Sequence, residues 1–523
     1  MLRLSAQRAS RPFARLLHTS HRSPQNSNRL VKLGLGTCAL SIAGLTGAVV
    51  YADASDTPEI RTPLSTLLRS YIVYSFCSVP ALEVSEAVVR RTFFAQFVGG
   101  DTCEDTLPLI ASLRKQNKGT LLAYSVEVDE KDEGSGKAQW KKNVAEMRSS
   151  VDFAADFEDN YGQKGPRRTW VAIKLSALVS SADSLKRMSA FLLRERPRDD
   201  VPYPGTPASF DMTVFNGPKE RLLRGGLTEE DIDALRTLYD DLRRVCLRAR
   251  DRGIRLIFDA EHTWYQPSID AFVMALSREF NRPPSSLRTN VTHNEQPLIY
   301  GTYQAYLKRT PAHLAKSIQD AHKHSYSLGV KLVRGAYHDK ELTHHANKGP
   351  DSDCPVWTEK AATDACYNSC ATTLVEELAT SYKFSNAGWT TRLTHQAHSD
   401  TSISLLFGTH NNLSCAHILE CLVESGLAYR SSEGKVVIKE GVEERVCFGQ
   451  LFGMRDDLTN WVVDTVRASS PMVLKYVPYG ALTDVMPYLA RRAIENQSIL
   501  GGEGGATTER RMVGREIKRL LFG

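Results

Sequence analysis

Acidic residues are absent from the first 52 positions of this 523-residue chain, in which the first carboxylate is Asp53. Serines, small apolar residues and a set of dispersed cations fill the same stretch, the cations being Arg3, Arg8, Arg11, Arg15, Arg22, Arg29 and Lys32. Basic leaders without acidic residues are typical of mitochondrial targeting peptides. We therefore predict a targeting peptide over residues 1–32, with a disordered basic tail as the alternative.

Several signatures of catalysis and binding are also absent. The sequence contains no nucleophile elbow, no zinc-type histidine cluster, no Walker loop and no catalytic-triad spacing, so we predict no metal site. Its ten cysteines are scattered, which favours reduced thiols over a disulfide framework. The net charge of +6 is modest, and no zinc-finger or arginine-rich pattern occurs, so nucleic acid is not an expected partner.

Charge is missing from residues 33–52 as well, and this stretch is about long enough to cross a hydrocarbon core. Its glycines weaken it as a spanning segment, so an inner-membrane anchor and an apolar part of the presequence stay open as alternatives. Beyond it we expect an N-terminal helical region at 53–118, a catalytic domain at 119–500, and a tail at 501–523 with a short basic helix.

Short β-branched runs alternate with longer amphipathic stretches over the expected catalytic domain. We predict eight strands, at 120–128, 170–177, 254–261, 297–304, 330–337, 405–411, 445–453 and 472–480. Eight strand–helix units favour an α/β fold, a closed parallel (β/α)8 barrel, with a doubly wound open sheet as the alternative. Two polar stretches, 194–226 and 381–400, are predicted surface insertions.

Polar residues recur where the predicted strands end. They are Lys174, Asp259, Glu261, Gln304, Lys331, Arg334, Tyr337, Thr409, His410, Asn411, Gln450 and Tyr476. Each one alone has a structural explanation, such as a helix cap or a snorkelling lysine. Because a barrel has its active site at the carboxyl ends of its strands, their joint recurrence predicts a site there. The mixture of cations, hydrogen-bonding groups and phenols points to a bound cofactor that carries the reaction.

The last long helix adds a second group of polar residues. Tyr488, Arg491, Arg492 and Glu495 have the spacing i, i+3, i+4 and i+7, which places them on one helical face. Two neighbouring guanidinium groups can hold a carboxylate by paired, charge-assisted hydrogen bonds, and Glu495 can orient them. The alternative is a solvated, salt-bridged surface.

An ordered series of short motifs resembles the proline dehydrogenase (proline oxidase) family. The motifs are KLSA, FDAE, TYQAYLKR, KLVRGAY, PVWTEK, FGTHN, FGQLFGM, KYVPYG and YLARRAIEN, and they extend over roughly residues 120–500. The leader resembles that of the eukaryotic, mitochondrial, monofunctional branch. The resemblance implies a distorted (β/α)8 TIM barrel that binds FAD without a Rossmann domain and oxidises L-proline to Δ1-pyrroline-5-carboxylate.

The resemblance also implies roles for individual residues. Arg491 and Arg492 would bind the proline carboxylate with Glu495 steadying them, Lys174 and Asp259 would form an ion pair beside the ring, and Leu332, Tyr337, Tyr476 and Tyr488 would enclose it. Contacts with FAD are implied for Gln304, Lys331, Val333, Gly335, Thr358, Lys360, Thr409, His410, Asn411 and Gln450. Lys331 stands where many bacterial members have arginine near flavin N5, which keeps the charge but loses the bidentate fork.

The remaining implications concern partners and specificity. Hydride would pass to flavin N5 and electrons to a quinone at the inner mitochondrial membrane, with pyrroline-5-carboxylate dehydrogenase as a candidate partner. Family members that prefer hydroxyproline resemble this chain but have serine at the position of Tyr476, so we expect a preference for L-proline. Two alternatives stay open: a Schiff-base lyase that uses Lys174 as nucleophile, and a catalytically inactive, membrane-tethered binding protein.

Overall fold

The computed structural model describes residues 64–76, 86–125, 136–162, 165–197, 199–282, 296–347, 354–385, 401–498, 514–515 and 517–518. The chain divides into two compact units, Ser70–Met512 and a smaller unit of Met1–Arg69 with Val513–Gly523. The predicted targeting peptide, the uncharged stretch 33–52 and most of the predicted tail lie outside the described residues. Within the described ranges, no helix is both long enough and apolar enough to cross a membrane.

Eight parallel strands form a closed barrel in the larger unit. They are β1 (Lys118–Tyr124), β2 (Thr169–Ile173), β3 (Leu256–Phe258), β4 (Ile299–Gln304), β5 (Leu328–Val333), β6 (Ile403–Gly408), β9 (Val446–Leu451) and β11 (Val473–Tyr479). Their order around the barrel is β1-β11-β9-β6-β5-β4-β3-β2, so β1 pairs with both β2 and β11. This arrangement confirms the (β/α)8 barrel and excludes the open sheet.

The helices that lie between consecutive strands in the sequence pack on the outside of the barrel. The α-helices are Leu64–Phe76, Glu86–Val89, Ala95–Phe97, Leu107–Lys115, Gly136–Tyr161, Ala182–Glu195, Met212–Asn216, Lys219–Arg224, Glu229–Arg252, Gln266–Phe280, Thr310–His324, His338–Ala346, Lys360–Ser385, Asn412–Glu424, Asp456–Thr465 and Leu482–Ser498. A π-helical turn, Arg90–Phe94, and three 3-10 turns, Glu104–Thr106, Leu175–Ala177 and Ser209–Asp211, complete the set in the described residues.

Several predicted strands are too long at their carboxyl ends. The prediction of strand at 170–177 is wrong beyond Ile173, because the chain turns into the 3-10 segment Leu175–Ala177. Similarly, β3 contains only three residues and ends before Asp259. The strand hydrogen bonds therefore stop before polar residues such as Lys174 and Asp259, which lie on the loops that follow the strands.

A small second sheet was not predicted from the sequence. It contains β7 (Ala428–Arg430), β8 (Val436–Ile438) and β10 (Val466–Arg467), with β7 antiparallel and β10 parallel to β8. Each strand has only two or three residues, too few for the periodicity of two to be visible in the sequence.

The barrel interior is filled by side chains rather than open. An inner cluster includes Leu121, Trp170, Ile257, Tyr300, Leu406, Cys447 and Leu474, and the Trp170 and Tyr300 ring centroids are 5.1 Å apart. Residues that alternate with these pack outward against the helices, as expected for parallel strands buried on both faces. A packed interior leaves the carboxyl-end mouth of the barrel as the place for a site.

The predicted surface insertion 194–226 is only partly a surface feature. Its short helices Met212–Asn216 and Lys219–Arg224 bury Val214, Phe215 and Leu222 in the main core. The prediction was wrong for these residues because apolar side chains are thinly spaced among charges there. Of the second predicted insertion, 381–400, residues 381–385 continue the helix Lys360–Ser385, and 386–400 lie outside the described residues.

Candidate functional site

Asp259 lies at the centre of the barrel mouth with both carboxylate oxygens engaged. Its Oδ1 accepts from the Lys331 ammonium on β5 at 2.5 Å, and its Oδ2 accepts from the Tyr476 hydroxyl on β11 at 2.9 Å. The Lys331 Nζ also lies 5.3 Å from the Tyr476 ring centroid. Asp259, which directly follows β3, thus forms one polar cluster with residues of β5 and β11, which we call the mouth triad.

The phenol of Tyr476 is neutral in this cluster. Burial raises its pKa well above the usual value, and the neighbouring charge of Asp259 raises it further. The hydroxyl therefore donates its proton to Asp259 and is not a base. Tyr488 and Tyr337 also contribute to the raised pKa of Tyr476, which places these two predicted site residues close by.

The last helix, Leu482–Ser498, brings its two arginines to the same mouth. The Arg491 guanidinium carbon lies 5.2 Å from the Tyr337 ring centroid. That of Arg492 lies 5.1 Å from the ring centroid of Tyr488, one turn earlier on the same helix, and its charge contributes to the lowered pKa of His410 at the mouth. Arg492 and Tyr488 are buried, with 5% and 4% exposure. A cation over an aromatic face is favoured electrostatically. The helix backbone includes Glu495, but its side chain lies outside the described part of the structure, and its predicted role stays a prediction.

His410 adds a neutral hydrogen-bond donor to the mouth. Burial, followed by the charges of Lys475, Arg492 and Arg455, holds the pKa of His410 well below its usual range. Its Nε2 accepts from the Leu451 backbone N–H at 3.0 Å, so the proton lies on Nδ1. That Nδ1 is buried and has no hydrogen-bond partner in the described residues.

Gln304 is oriented by the loop after β3. Its Nε2 donates to the carbonyl of Glu261 at 3.0 Å, which leaves the side-chain oxygen as the acceptor. Glu261 is itself buried and accepts from the Ser176 N–H at 3.0 Å and from the Ser176 hydroxyl. The loops after β2 and β3 are therefore joined through one carboxylate.

Arg334 donates hydrogen bonds to three side chains, and we call this group the Arg334 hub. The sequence indicated Arg334 only as one of many polar residues near strand ends. Its guanidinium donates to Asp364 at 2.7 Å, to the Thr409 hydroxyl at 2.8 Å and to the Ser414 hydroxyl at 2.9 Å. Asp364 also accepts from Lys360 at 2.6 Å. Burial opposes ionisation of Asp364, but Lys360 and Arg334 hold its pKa below the usual value.

Two predicted flavin-contact residues near this hub are open to solvent, and one glycine is sterically required. Thr358 and Lys360 are exposed at the start of the helix Lys360–Ser385. Gly335 has φ +130°, and a Cβ there would lie 1.3 Å from a ring carbon of Tyr306. Val333 ends β5, and Asn411 caps the helix Asn412–Glu424 by accepting from the Ser414 N–H.

Gln450 is not brought together with the other predicted residues. It pairs in register with Lys475 on β11, whereas Leu451 pairs with Tyr476, which packs on the inner cluster. By strand alternation Gln450 and Lys475 face outward. Thr459 of the helix Asp456–Thr465 donates to Gln450 and accepts from Lys475 at 2.9 Å. The predicted contact of Gln450 with FAD stays a prediction.

Lys174 follows β2 at the same end of the barrel as the mouth triad and is partly exposed. The hydrogen bonds of Asp259 described above go to Lys331 and Tyr476, two partners that the sequence did not predict. The pairing of Lys174 with Asp259 stays a prediction. No cluster of three metal-ligating side chains occurs in the described ranges of the chain.

The loop after β3 and the helix after β5 carry a row of rings. The His262 ring centroid lies 4.1 Å from that of Tyr337 and 4.2 Å from that of Trp264. Trp264 in turn lies 4.3 Å from His344. Of these four residues only Tyr337 was predicted, because an aromatic side chain in a loop gives no periodic signal.

The fold and the mouth together define a class of protein. A packed (β/α)8 barrel has cations, neutral phenols and a buried carboxylate at the carboxyl ends of its strands, which suits a small anionic substrate beside a larger cofactor. A sequence model of the proline dehydrogenase family matches residues 107–502. The chain belongs to this family and is an enzyme of the proline dehydrogenase type.

Individual relatives are distant. The chain is 28% identical to "Hydroxyproline dehydrogenase" of Mus musculus over 475 residues, which covers 87% of this chain and 91% of the relative. It is 26% identical to "Proline dehydrogenase 2, mitochondrial" of Arabidopsis thaliana over 497 residues, covering 90% and 91%. The match to "Proline dehydrogenase 1, mitochondrial" of Homo sapiens is 31% over 305 residues, covering 58% and 42%.

A solved structure has the same fold. The crystal structure of proline utilization A from Bdellovibrio bacteriovorus, inactivated by N-propargylglycine, aligns with a TM-score of 0.56 and 17% identity over 87% of this chain. The alignment spans 39% of the Bdellovibrio chain. At this identity the likeness supports the barrel alone.

Proposed function

We propose that this protein oxidises L-proline to Δ1-pyrroline-5-carboxylate with FAD as cofactor. The observation that carries the proposal is that Arg491 and Arg492 lie at a mouth whose floor is the triad of Asp259, Lys331 and Tyr476. Cations at one side and a neutral, partly aromatic floor match an amino acid with a carboxylate and an apolar ring.

The residues present fit FAD. The buried Nδ1–H of His410 has no hydrogen-bond partner in the described residues, and the flavin ring offers several nitrogen and oxygen acceptors. The Gln304 amide is held by the Glu261 carbonyl through its Nε2, so its oxygen is the end that could accept from a flavin N–H. When bound, FAD supplies the acceptor for a hydride from the ring carbon next to nitrogen.

The protein's own groups then bind and orient the substrate. Arg491 and Arg492 hold the carboxylate, so binding energy remote from the reacting carbon fixes the ring. Tyr476 and Tyr337 provide the walls, and Lys331 places a positive charge beside the cofactor region, where electron density increases during the reaction. Tyr488 is buried over Arg492 and helps to exclude water from the product imine.

Hydroxyproline is a second candidate substrate, because the Mus musculus relative is named hydroxyproline dehydrogenase. Tyr476 argues against it as the preferred substrate. Its ring packs on the inner cluster beneath the mouth, and its hydroxyl hydrogen is already donated to Asp259, so the hydroxyl can only accept from a substrate hydroxyl. We therefore place L-proline first.

We further propose that the protein acts in mitochondria and passes electrons to a quinone at the inner membrane. The acid-free basic leader supports import, and the Arabidopsis and human relatives are named mitochondrial. The quinone and a pyrroline-5-carboxylate dehydrogenase that consumes the product rest on the family resemblance.

Steady-state turnover tests the proposal. Purified protein with FAD, L-proline and a soluble quinone should form Δ1-pyrroline-5-carboxylate, and NAD should not replace the quinone. Borohydride added during turnover should leave no substrate covalently attached to Lys174. A trapped Lys174 adduct without reduction of the flavin would favour the Schiff-base lyase instead.

A further inference from the structure

Glu341 is a buried carboxylate in the helix His338–Ala346, one turn after Tyr337, and its exposure is 0%. Its oxygens accept from the backbone N–H of Thr263 at 2.8 Å and from the Thr263 hydroxyl at 2.6 Å. His262 Nδ1 lies 3.5 Å and His345 Nε2 lies 3.7 Å from the same carboxylate. Because an unsatisfied buried carboxylate is costly, this set of donors fixes the loop after β3 to the helix after β5.

The electrostatics agree with a charged Glu341. Burial opposes its ionisation, but the nearby His262 ring and the hydrogen bonds from Thr263 hold the pKa of Glu341 below the usual value. Charge-assisted hydrogen bonds are roughly twice as strong as neutral ones, so the loop is held more firmly than by a neutral amide.

A continuous series of contacts leads from this carboxylate to the substrate region. Thr263 adjoins His262, whose ring lies 4.1 Å from that of Tyr337. Tyr337 also contacts Arg491, whose guanidinium carbon lies 5.2 Å from the ring centroid. The Tyr337 ring therefore contacts both the histidine beside Glu341 and the arginine proposed to bind the substrate carboxylate.

We propose that Glu341 is a positioning residue for capture of the substrate carboxylate, acting through Thr263, His262 and Tyr337 on Arg491. It does not touch the reacting atoms. The proposal rests on the proposed function, because it assigns the carboxylate to Arg491. It predicts that the state of Glu341 affects recognition of the carboxylate more than the chemistry at the ring.

Glu341→Gln tests this with little change of volume. The two carboxylate oxygens accept one hydrogen bond each from Thr263. An amide has only one oxygen, so Glu341→Gln can keep only one of these two hydrogen bonds. The KM for L-proline should rise about tenfold, and kcat should change less than about twofold. This pattern is expected when the substrate and the transition state lose the same amount of binding energy. FAD content should be unchanged.

Inhibitors separate a carboxylate effect from general damage. Cyclopentanecarboxylate has the ring and the carboxylate, whereas pyrrolidine has the ring without the carboxylate. In Glu341→Gln the inhibition constant of cyclopentanecarboxylate should rise about tenfold while that of pyrrolidine stays the same. Thr263→Val, which removes only the hydroxyl donor, should shift the same ratio by about threefold and serves if Glu341→Gln does not fold.

Asp231→Asn is the matched control. Asp231 is equally buried and accepts from Ser184, Arg187 and the Thr228 backbone at the start of the helix Glu229–Arg252. It should lower the unfolding temperature without changing the inhibitor ratio. The proposal would be overturned if the ratio of the inhibition constants of cyclopentanecarboxylate and pyrrolidine were unchanged in both Glu341→Gln and Thr263→Val. It would also be overturned if Asp231→Asn changed this ratio equally. Failure of L-proline to reduce the wild-type flavin would instead overturn the proposed function.

Discussion

Asp259 has no oxygen left without a hydrogen bond, since Lys331 and Tyr476 occupy one each. A carboxylate held at both oxygens is a rigid element of the mouth. Its charge also stabilises the Lys331 ammonium beside the proposed cofactor.

Replacing either arginine of the last helix should impair substrate capture. Arg491→Met and Arg492→Met each remove a charge-assisted contact worth roughly 1.5–3 kcal/mol, so kcat/KM for L-proline should fall at least about tenfold. FAD content and the unfolding temperature serve as controls for folding. Unchanged kinetics in either variant, with FAD retained, would place the substrate carboxylate elsewhere.

Replacing Tyr476 by serine should change substrate preference. Tyr476→Ser opens space in the mouth and removes an aromatic wall, so kcat/KM for L-proline should fall. The ratio of kcat/KM for L-proline to kcat/KM for trans-4-hydroxy-L-proline should decrease by about tenfold, because an unmatched buried hydroxyl costs about 1–3 kcal/mol. Tyr476→Phe, which keeps the wall and loses only the bond to Asp259, should retain most of the preference. A lower stability with an unchanged ratio would make Tyr476 a packing residue.

The residue types of the mouth could be predicted from the sequence, but their pairing could not. The recurrence of polar residues towards the carboxyl ends of strands predicted Asp259, Lys331 and Tyr476. Asp259 is 72 positions from Lys331 and 217 from Tyr476, and only the closure of the barrel brings them together. The outward direction of Gln450 could have been predicted from strand alternation. Gln450 and Leu451 are neighbours on β9, so their side chains must face opposite sides of the barrel wall.

At the scale of elements, strands were predictable and their connections less so. The eight buried β-branched runs correspond to the eight barrel strands. The strand ends were misjudged because strand propensity continues into loops such as Leu175–Ala177. The hub of Arg334 and Asp364 was not predicted, since a carboxylate at an ordinary helical position carries no local signal.

The helix Thr310–His324 contributes a pH-sensitive element of stability. Burial, next to Arg309, lowers the pKa of its His313 to about 3. The folded-state pKa lies below the unfolded value of about 6.5, so the unfolded chain binds more protons between these values. The contribution of His313 to the free energy of unfolding is complete above about pH 6.5. It decreases as the pH falls towards about 3, by up to about 1.4 kcal/mol per pH unit.

Denaturant unfolding between pH 7.5 and pH 5 measures this contribution. His313→Asn should lose free energy of unfolding less steeply than the wild type as the pH falls. Ser317→Ala, a buried neighbour one turn along the same helix without a titrating group, should shift the whole curve without changing its slope. Equal slopes in wild type and His313→Asn would show that His313 does not titrate on unfolding.

At the scale of the whole molecule, the barrel and the leader have separate roles. The barrel contains the proposed chemistry, while residues 1–32 form the predicted targeting peptide, so removal of the leader should affect location only. Protein lacking residues 1–32 should remain outside mitochondria in an import assay but should oxidise L-proline like the full chain when purified. Continued import of the truncated protein would contradict the targeting assignment.

The most direct test of the account is the visible spectrum of the purified holoprotein before and after anaerobic addition of L-proline. The account predicts a yellow protein whose oxidised-flavin absorbance disappears, with pyrroline-5-carboxylate formed in an amount equal to the flavin. The Arg491→Met variant, loaded with the same amount of FAD, should bleach only at much higher L-proline concentrations. A fully flavin-loaded wild-type protein that L-proline does not bleach would contradict the account.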